Sequence, residues 1–412
     1  MTSPRARLFL MMVLEFFIWG AWLPLIWTYM GPDGLNYSSS QQALIGSAFA
    51  IASVVGIFFS NQFADRNFSA ERFMAFSHLI GGLAILGMFF VTDFTVFFSL
   101  MLIHSLFWVP TVSVANSLSF AHLKDPKNEF GIVRMGGTIG WILASWPLYF
   151  ILKGKAGVDA AQAAKYIFLV SGAASLLLAA YSLTLPHTPP RKAEGTDSLA
   201  WLKAGKLLAI PYLLVLFIVT FIDATIHNGY FVMAGGFLAK AGIKPEHIMP
   251  VMSIGQVAEI LTMAALGTVL AKLGWRLTMI FGILGHAVRF AIFAFFPDLT
   301  GLIILVQVLH GICYAFFFAT VYIFIDAAFP KDVRSSAQGL FNFLILGLGD
   351  LAAKWLFIPL QGKYVTGEGL TGYRELFLVP TGLALGAAIL LAVAFHPPKD
   401  VEAAAGPAAA PH

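Results

Sequence analysis

The sequence has few charged side chains for its length. Asp, Glu, Lys and Arg together make up 11% of the 412 residues, whereas soluble domains carry about 25%. So few charges cannot cover a water-exposed surface of ordinary size. Most of the surface of this chain must therefore face something other than water, which excludes a soluble globular protein.

The sequence also lacks the patterns of several catalytic and cofactor-binding classes. Its one cysteine, Cys313, cannot form an intramolecular disulfide. No set of His, Cys and carboxylates has metal-site spacing, no Gly-x-Ser-x-Gly is present, and no Gly-rich loop precedes Lys-Ser or Lys-Thr. We therefore expect neither an enzyme nor a protein with a metal or cofactor. The net charge of +4 is modest and the basic residues fall in loops, so nucleic-acid binding is not expected.

Hydrophobic residues are abundant instead, at 59% of the chain. They form stretches of roughly 20 residues, and each stretch can cross a hydrocarbon layer as a helix. Long unbroken runs do not fit the short alternating strands of a β-barrel. We predict an all-α membrane protein with twelve transmembrane helices in two six-helix bundles. The predicted spans are Leu8–Met30, Gln42–Phe63, Phe73–Val91, Val96–Phe120, Ile132–Leu152, Tyr166–Leu185, Leu207–Leu238, Ile248–Leu270, Leu277–Phe296, Leu302–Ala328, Ala337–Ile358 and Leu376–Ala394.

Basic residues predict the orientation of these spans. With a cytoplasmic N-terminus, 16 of the 25 Lys and Arg residues fall in inside segments and 8 in outside segments, while Arg289 lies within a span. Such an excess is typical of cytoplasmic loops. The first stretch is too long for a signal peptide and no cleavage site follows it, so we interpret it as a retained span. We expect both termini in the cytoplasm.

A linker near the middle of the chain divides it into halves. We assign residues 1–186 to an N-terminal six-helix bundle, 187–206 to a cytoplasmic linker, 207–396 to a C-terminal bundle and 397–412 to a disordered tail. Arg72 and Arg276 follow corresponding spans 204 residues apart, and Arg134 and Arg334 open corresponding spans 200 residues apart. Both offsets are close to half the chain, which supports a duplicated unit.

Ionisable residues inside spans are costly, so each one requires a reason. Glu15 lies among aromatic residues of the first span. A carboxyl group there can bind a solute or carry a proton, or it can be a protonated acid that hydrogen-bonds between packed helices. Gln256 and Glu259 share one face of the eighth span. An amide beside a carboxylate suits a polar ring system or sugar hydroxyls, although the pair can also clamp two helices together.

A polar stripe opens the fifth span. Thr138 follows Arg134 by four residues and Trp141 follows it by seven, so all three lie on one helix face. Gly136, Gly137 and Gly140 permit close approach of a neighbouring helix or a ligand. Arg134 is interpreted either as part of a binding surface or as a positive-inside anchor.

Further polar residues lie in the seventh to tenth spans. His227 and Asn228, and His310 with Tyr314 one turn later, are candidates to line a pore. His78, His104 and His286 are interpreted as hydrogen-bonded packing residues. Asp326 and Asp350 lie near span ends, where salt bridges or loop roles are expected, and the role of Asp223 stays open.

Several segments resemble known transporters. Asn61-Gln62-Phe63-Ala64-Asp65-Arg66 resembles the loop motif of the major facilitator superfamily, although Ser60 stands where that motif has glycine. Other segments resemble the bacterial nucleoside:proton symporters of that superfamily, in the same order along the chain. They are Trp19-Gly20-Ala21-Trp22, Trp108-Val109-Pro110-Thr111, Arg134-x-x-Gly137-Thr138-Ile139-Gly140, Leu185-Pro186-His187-x-Pro189, Gln256-x-x-Glu259, Arg289-Phe290-x-x-Phe293-Ala294 and Arg334-x-x-Ala337-Gln338-Gly339.

The resemblance implies the major facilitator fold, with two six-helix bundles around a central cavity that opens alternately to each side. It implies that Arg134, Thr138, Gln256 and Glu259 face the nucleoside, with Trp141 at an aromatic position. A flat base is suited to an aromatic stack, and ribose hydroxyls to carboxylate and amide acceptors.

Other family positions match less closely. Tyr314 matches an aromatic position but is followed by Ala315 where the family has an acid, and His310 occupies another aromatic position. Asn228 lies in a span whose register against the family is ambiguous. Glu15 stands where familiar members have an uncharged amide, and we hypothesise that it offsets the missing acid.

The primary hypothesis is a monomeric, proton-coupled nucleoside importer of the bacterial inner membrane. A proton on Glu259 or Glu15 would neutralise a buried charge and shift the equilibrium between access states. The expected partners are a nucleoside, protons and membrane lipid, and the proton gradient replaces any cofactor. A sugar or glycoside symporter stays open because the same polar groups suit hydroxyl-rich ligands. A membrane receptor or sensor is the alternative from another class, although neither linker nor tail is long enough for a signalling domain.

Overall fold

The computed structural model describes residues 4–56, 68–124, 126–190, 205–329, 334–367, 369–398 and 401. All regular secondary structure in these ranges is helical. The α-helices of the first part of the chain are α1 (Pro4–Trp22), α2 (Ile26–Met30), α3 (Ser39–Val55), α4 (Ala70–Gly87), α5 (Phe94–His122), α6 (Pro126–Leu143), α7 (Ser145–Leu152), α8 (Gly157–Ala163) and α9 (Tyr166–Ser182).

The second part of the chain adds longer helices and two π-helical turns. Its α-helices are α10 (Pro211–Lys240), α11 (Pro245–Phe295), α12 (Thr300–Leu305), α13 (Val308–Cys313), α14 (Thr320–Ala328), α15 (Arg334–Asn342), α16 (Gly349–Tyr364) and α17 (Tyr373–Ala394). The π-helical turns are Tyr314–Ala319 and Phe343–Leu348, and short 3₁₀ turns occupy Met88–Phe90 and Leu207–Ala209.

Local sequence explains where several helices begin. Ser38 caps α3: its hydroxyl accepts from the Gln41 amide, and the Gln41 side chain accepts from the Ser38 amide. The Asp93 carboxylate accepts from the Val96 amide and caps α5. Helices α6, α10 and α11 each begin with proline, the residue best suited to a first helical turn because its missing N–H would have no partner there.

Within the described ranges, ten helical segments are long and apolar enough to cross a membrane. One of them, α11, has 51 residues and holds both the predicted eighth and ninth spans. At Gly274, with φ +70° and ψ 178°, the backbone leaves the helical region, so α11 consists of two helices joined at that glycine. The predicted second span corresponds to the 17-residue α3 and extends into residues 57–67, outside the described part. The structure therefore supports an all-helical membrane fold.

The described residues form two compact units. Unit 1 contains residues 1–194, 234–239 and 243–253, and unit 2 contains residues 195–233, 240–242 and 254–412. Of the predicted linker 187–206, residues 191–204 lie outside the described part. The loop motif Asn61–Arg66 and most of the predicted tail also lie outside it. Within the tail, the Val401 carbonyl accepts from the Trp275 indole at 2.8 Å.

The described start of the linker is attached to unit 1. The Glu71 carboxylate contacts the His187 ring at 2.8 Å and accepts from the Thr188 amide at 2.9 Å. The Thr188 hydroxyl lies 2.8 Å from the His122 ring, and its carbonyl accepts from the Ala70 amide at 3.0 Å. The bond from Ala70 satisfies one of the free amide donors at the N-terminus of α4.

Candidate functional site

Helix α6 carries the predicted polar stripe of unit 1. Arg134, Thr138 and Trp141 are all partly exposed, as binding residues must be. The Arg134 guanidinium carbon lies 4.1 Å from the centroid of the Phe16 ring in α1, a cation–π contact that orients the side chain. The stripe therefore has one oriented cation, one hydroxyl and one indole along a single helix.

Close packing of α6 against α1 depends on glycine. A Cβ atom at Gly136 would lie 2.7 Å from the Phe9 carbonyl oxygen, and one at Gly140 would collide with the Val13 carbonyl. The expected close approach is therefore made to a neighbouring helix. It brings α1 against the face of α6 that adjoins the polar stripe.

An aromatic cluster includes Trp141. It consists of Phe16, Trp19, Phe49, Trp108 and Trp141, and Trp19 lies at its centre. The Trp19 ring centroid lies 5.2 Å from that of Phe49 in a stacked pair, 5.4 Å from Trp108, and 5.2 Å from Trp141 edge to face. The indole nitrogens of Trp19 and Trp108 have no hydrogen-bond partner in the described structure. The cluster thus offers flat apolar faces together with unused N–H donors.

Glu15 lies in a separate network on α1. Its side chain is fully buried. One carboxylate oxygen lies 2.8 Å from Nε2 of His78, and the other accepts from the Thr111 hydroxyl at 2.6 Å. Nδ1 of His78 lies 3.3 Å from the Ser175 hydroxyl. Glu15 is predicted to contact the substrate, but it has no accessible surface in this conformation. Its hydrogen bonds instead link α1, α4 and α5.

In unit 2, Gln256 and Glu259 lie where α11 packs closely on α13. A Cβ atom at Gly255 would lie 2.8 Å from Cβ of His310, and one at Gly311 would collide with the Glu259 backbone. Gln256 is 6% exposed and its carbonyl oxygen has no hydrogen-bond partner in the described structure. Glu259 is half-buried. Two of the predicted ligands are therefore held next to a third, His310, by backbone contact.

His310 and Tyr314 adjoin residues of α10. The His227 ring stacks on that of His310 with centroids 4.7 Å apart, and lies 6.2 Å from Tyr314. Asn228 donates from its side-chain nitrogen to the carbonyls of Ala224 and Ile345. The Asn228 amide is thus oriented by α10 and by the π-helical turn that contains Ile345.

The predicted site residues therefore form two groups, each within one unit. Arg134, Thr138 and Trp141 lie along α6, while Gln256, Glu259, His310, Tyr314 and Asn228 lie on α10, α11, α13 and the first π-helical turn. Glu15 belongs to neither group. Trp19, Phe49 and Trp108 were not predicted as site residues. Trp19 and Trp108 belong to the family-like segments, which was the available signal, whereas nothing in the local sequence marks Phe49.

Comparison with known proteins places this architecture in a family. The profile of the family described as "Nucleoside H+ symporter" matches residues 2–400. The Escherichia coli K12 protein YegT is 30% identical over 84% of this chain and 82% of its own length. Xanthosine permease of Escherichia coli K12 is 28% identical, with coverage of 97% and 98%.

Solved structures agree with the sequence relatives. A crystal structure of a point mutant of nucleoside transporter NupG matches with a TM-score of 0.85 and 25% identity, over 96% of this chain and 100% of that one. A D-xylose-proton symporter matches with a TM-score of 0.73 and 14% identity, over 96% and 98%, which shows a shared fold alone. The fold is that of the major facilitator superfamily, and the protein is a multi-pass protein of the inner-membrane type. The chain belongs to the nucleoside H+ symporter family, and it is accordingly a transporter that imports nucleosides with protons rather than an enzyme.

Proposed function

We propose that the nucleoside is recognised by Arg134, Thr138 and Trp141 of unit 1 and by Gln256, Glu259, Asn228, His310 and Tyr314 of unit 2. The observation that carries this proposal is the Gln256 side chain. Its carbonyl oxygen is buried without a hydrogen-bond partner in the described structure, and such an oxygen is costly unless a ligand or water donates to it. The nearby Glu259 supplies carboxylate acceptors for ribose hydroxyls.

The chemistry of each group suits a different part of a nucleoside. The Trp141 indole, in contact with Trp19, provides a surface on which a nucleobase stacks. Arg134 donates in a fixed plane to carbonyl or ring-nitrogen acceptors of the base. The Gln256 and Glu259 acceptors, with the Tyr314 hydroxyl, suit the sugar. The substrates are then neutral nucleosides rather than nucleotides, because the half-buried Glu259 carboxylate would repel a phosphate.

Proton coupling is proposed for Glu259 and for Glu15. A proton on Glu259 removes a charge at the ligand, so nucleoside affinity and protonation become linked. Glu15 is buried in hydrogen bonds with His78 and Thr111 and would act on helix packing rather than on the ligand. The two carboxyl groups thus have different proposed roles, the first at the ligand and the second among α1, α4 and α5.

The membrane arrangement completes the proposal. We infer twelve crossings from the ten apolar segments of the described residues, the division of α11 at Gly274, and the shorter apolar helix α3. Both termini lie in the cytoplasm, and the protein works as a monomer in contact with lipid. The basic-residue bias supports this orientation.

The test is uptake into proteoliposomes together with binding to purified protein. Uridine, adenosine and xanthosine are supplied with and without an inward proton gradient. We expect gradient-stimulated uptake by the unchanged protein, loss of that stimulation in Glu259→Gln, and weakened binding in Gln256→Ala by about 1–3 kcal/mol. Glu375→Gln is the control, because Glu375 is an exposed acid of the same unit. Gradient-stimulated uptake by Glu259→Gln at the unchanged level would refute the coupling role, and xylose outcompeting every nucleoside would refute the substrate.

A further inference from the structure

A second buried polar cluster lies in unit 2, and three of its four members, Asp223, His286 and Arg289, have no role in the function proposed above. Asp223 of α10, and His286 and Arg289 of α11, have no exposed surface, and His310 of α13 is 3% exposed. Burial of an arginine and an aspartate in a membrane helix is expensive, and residues of this kind usually serve transport of ions or protons. Among the described residues, no three His, Cys, Asp or Glu side chains are arranged to hold a metal ion. The cluster therefore calls for another explanation.

Arg289 determines which nitrogen of each histidine carries hydrogen. Its Nη1 lies 2.9 Å from Nδ1 of His310, and its Nη2 lies 3.1 Å from Nδ1 of His286. A guanidinium has only donors, so both Nδ1 atoms are acceptors. Each imidazole is then neutral, with its hydrogen on Nε2. Arg289 itself is held by the rings of Tyr230 and Phe290, whose centroids lie 4.1 and 5.1 Å from its guanidinium carbon.

Asp223 is the member of the cluster with unused bonding capacity. Neither carboxyl oxygen has a hydrogen-bond partner in the described structure. The nearest nitrogen is Nε2 of His286, 3.7 Å from one oxygen, which is too long for a hydrogen bond. By the tautomer argument, that nitrogen carries a hydrogen. A donor therefore stands just out of reach of a buried acceptor.

The other ionisable groups near Asp223 come from each packed helix. His227 lies one turn later on α10, and its ring centroid is 5.6 Å from that of His286. Arg289 and His286 of α11 lie near Asp223. Cys313 of α13 interacts with Asp223 electrostatically. On α16, which packs on α10 at Gly349, Asp350 and Lys354 bond to each other. Arg289 is thus a cation whose charge acts on Asp223.

We infer that Asp223 is a proton-binding site, and that His286 and Arg289 transmit its charge to His310. The inference rests on the proposed function, because His310 is one of the proposed nucleoside ligands. The geometry observed suits a protonated, uncharged Asp223: its oxygens are unpaired, and the Arg289 donors bond to two imidazoles instead of the carboxylate.

Release of the proton to water changes the forces in the cluster. Only the O–H bond of Asp223 breaks, and the carboxylate charge then balances that of Arg289. The His286 Nε2–H is drawn toward the carboxylate to close the 3.7 Å separation. Because Nδ1 of the same ring bonds to Arg289, the ring pulls on the guanidinium, and the guanidinium also holds His310. The position of a ligand-binding ring is therefore coupled to the charge on Asp223.

The test uses the full chain with Asp223→Asn, which keeps the shape of the side chain and cannot titrate. The control is Asp298→Asn, since Asp298 is an exposed loop acid of the same unit. We expect Asp223→Asn to bind nucleoside and to exchange it across proteoliposome membranes at the unchanged rate. Gradient-driven accumulation should disappear, so that internal and external nucleoside concentrations become equal. Accumulation by Asp223→Asn equal to that of Asp298→Asn would overturn the inference.

A second variant keeps the inference falsifiable if Asp223→Asn fails to fold. His286→Gln retains Asp223 and removes the connection to Arg289. Its nucleoside affinity should change less with pH than that of the unchanged protein, because only the contribution of Glu259 remains; an unaltered pH dependence in His286→Gln would overturn the transmission step. Failure of the unchanged protein to bind any nucleoside is a different result, which would refute the proposed function. In that case, loss of a protonated-carboxyl infrared band in Asp223→Asn would still support the proton site, and persistence of the band would refute it.

Discussion

Glu15 and Asp223 are both fully buried acids, yet their surroundings differ. Both oxygens of Glu15 meet side chains at hydrogen-bond distance, whereas Asp223 has no such contact in the described structure. A buried carboxyl group with hydrogen-bond partners rigidifies the helices around it. A buried carboxyl group without partners is destabilised, and a change of its charge or of its partners removes that cost. The two buried acids therefore differ in their surroundings: Glu15 takes part in helix packing, and we propose proton exchange for Asp223.

The Glu15 network predicts a contrast between two substitutions. Glu15→Gln keeps an acceptor for Thr111 and offers a donor to His78, whose ring can accept on Nε2 and donate from Nδ1 to Ser175. Glu15→Leu leaves His78 without that partner. We expect Glu15→Gln to fold with a free energy of unfolding close to the original. Glu15→Leu should lose about 1–3 kcal/mol, the usual cost of an orphaned buried polar group.

Thermal denaturation in detergent measures this contrast, with gradient-driven uptake as the second readout. Because Gln cannot titrate, uptake by the well-folded Glu15→Gln should respond less to the proton gradient. Equal melting temperatures for the Gln and Leu variants would show that the hydrogen bonds contribute nothing to stability. An unchanged gradient response in Glu15→Gln would restrict Glu15 to packing.

At the scale of helices, glycine spacing determines which pairs pack closely. Gly136 and Gly140 lie one turn apart on α6 against α1, and Gly255 and Gly311 serve α11 and α13 in the same way. In lipid, helices associate through close van der Waals contact rather than through the hydrophobic effect, so small residues at the contact matter more than in water. Each glycine pair also adjoins predicted ligands, since it fixes the spacing of the helices that carry them.

Gly140→Ala should therefore destabilise the protein and Gly131→Ala should not. A methyl group at 140 would overlap the Val13 carbonyl, whereas no described atom lies within 4 Å of the position it would take at 131. We expect a loss of about 1–3 kcal/mol at position 140 through overpacking, and a gain of about 0.5–1 kcal/mol at position 131, because alanine favours helix. Melting temperatures of both variants measure the difference. Similar melting temperatures would mean that α1 moves away from α6 at little cost.

The π-helical turns show what helix prediction from sequence omits. Tyr314–Ala319 and Phe343–Leu348 lie inside predicted spans and have apolar compositions like their surroundings. Hydropathy indicates that a segment crosses a membrane but not how its turns are wound. The first π-helical turn begins at Tyr314, a predicted ligand, and the second contains Ile345, whose carbonyl orients Asn228. Such turns often occur at functional sites.

For the whole molecule, composition and span length were sufficient to predict an all-helical membrane protein, because the bilayer imposes one strong rule on every segment. Residue spacing was also sufficient to predict that Arg134, Thr138 and Trp141 lie along one helix. Contacts between distant segments were not predictable: nothing local indicates that Glu15 meets His78, or that Arg289 holds two histidines of different helices. His286, interpreted from the sequence as a packing residue, bonds to Arg289, and we propose that it couples a buried acid to a predicted ligand.

The orientation in the membrane gives a prediction for the whole chain. Lys124 and Lys155 are both exposed, and one apolar segment, Glu129–Leu152, lies between them. With a cytoplasmic N-terminus, Lys124 is inside and Lys155 outside. The sole cysteine is buried, so its replacement in Cys313→Ser provides an unreactive background for Lys124→Cys and Lys155→Cys.

A membrane-impermeant maleimide applied to intact cells should label Lys155→Cys, and it should label Lys124→Cys only after the membrane is permeabilised. The Cys313→Ser parent should stay unlabelled in both conditions. The reverse pattern would invert the proposed orientation and place the basic loops outside, against the bias of their charge. Labelling of both positions from one side would mean that Glu129–Leu152 does not cross the membrane, and the arrangement of α6 in a bundle of crossing helices would then be wrong.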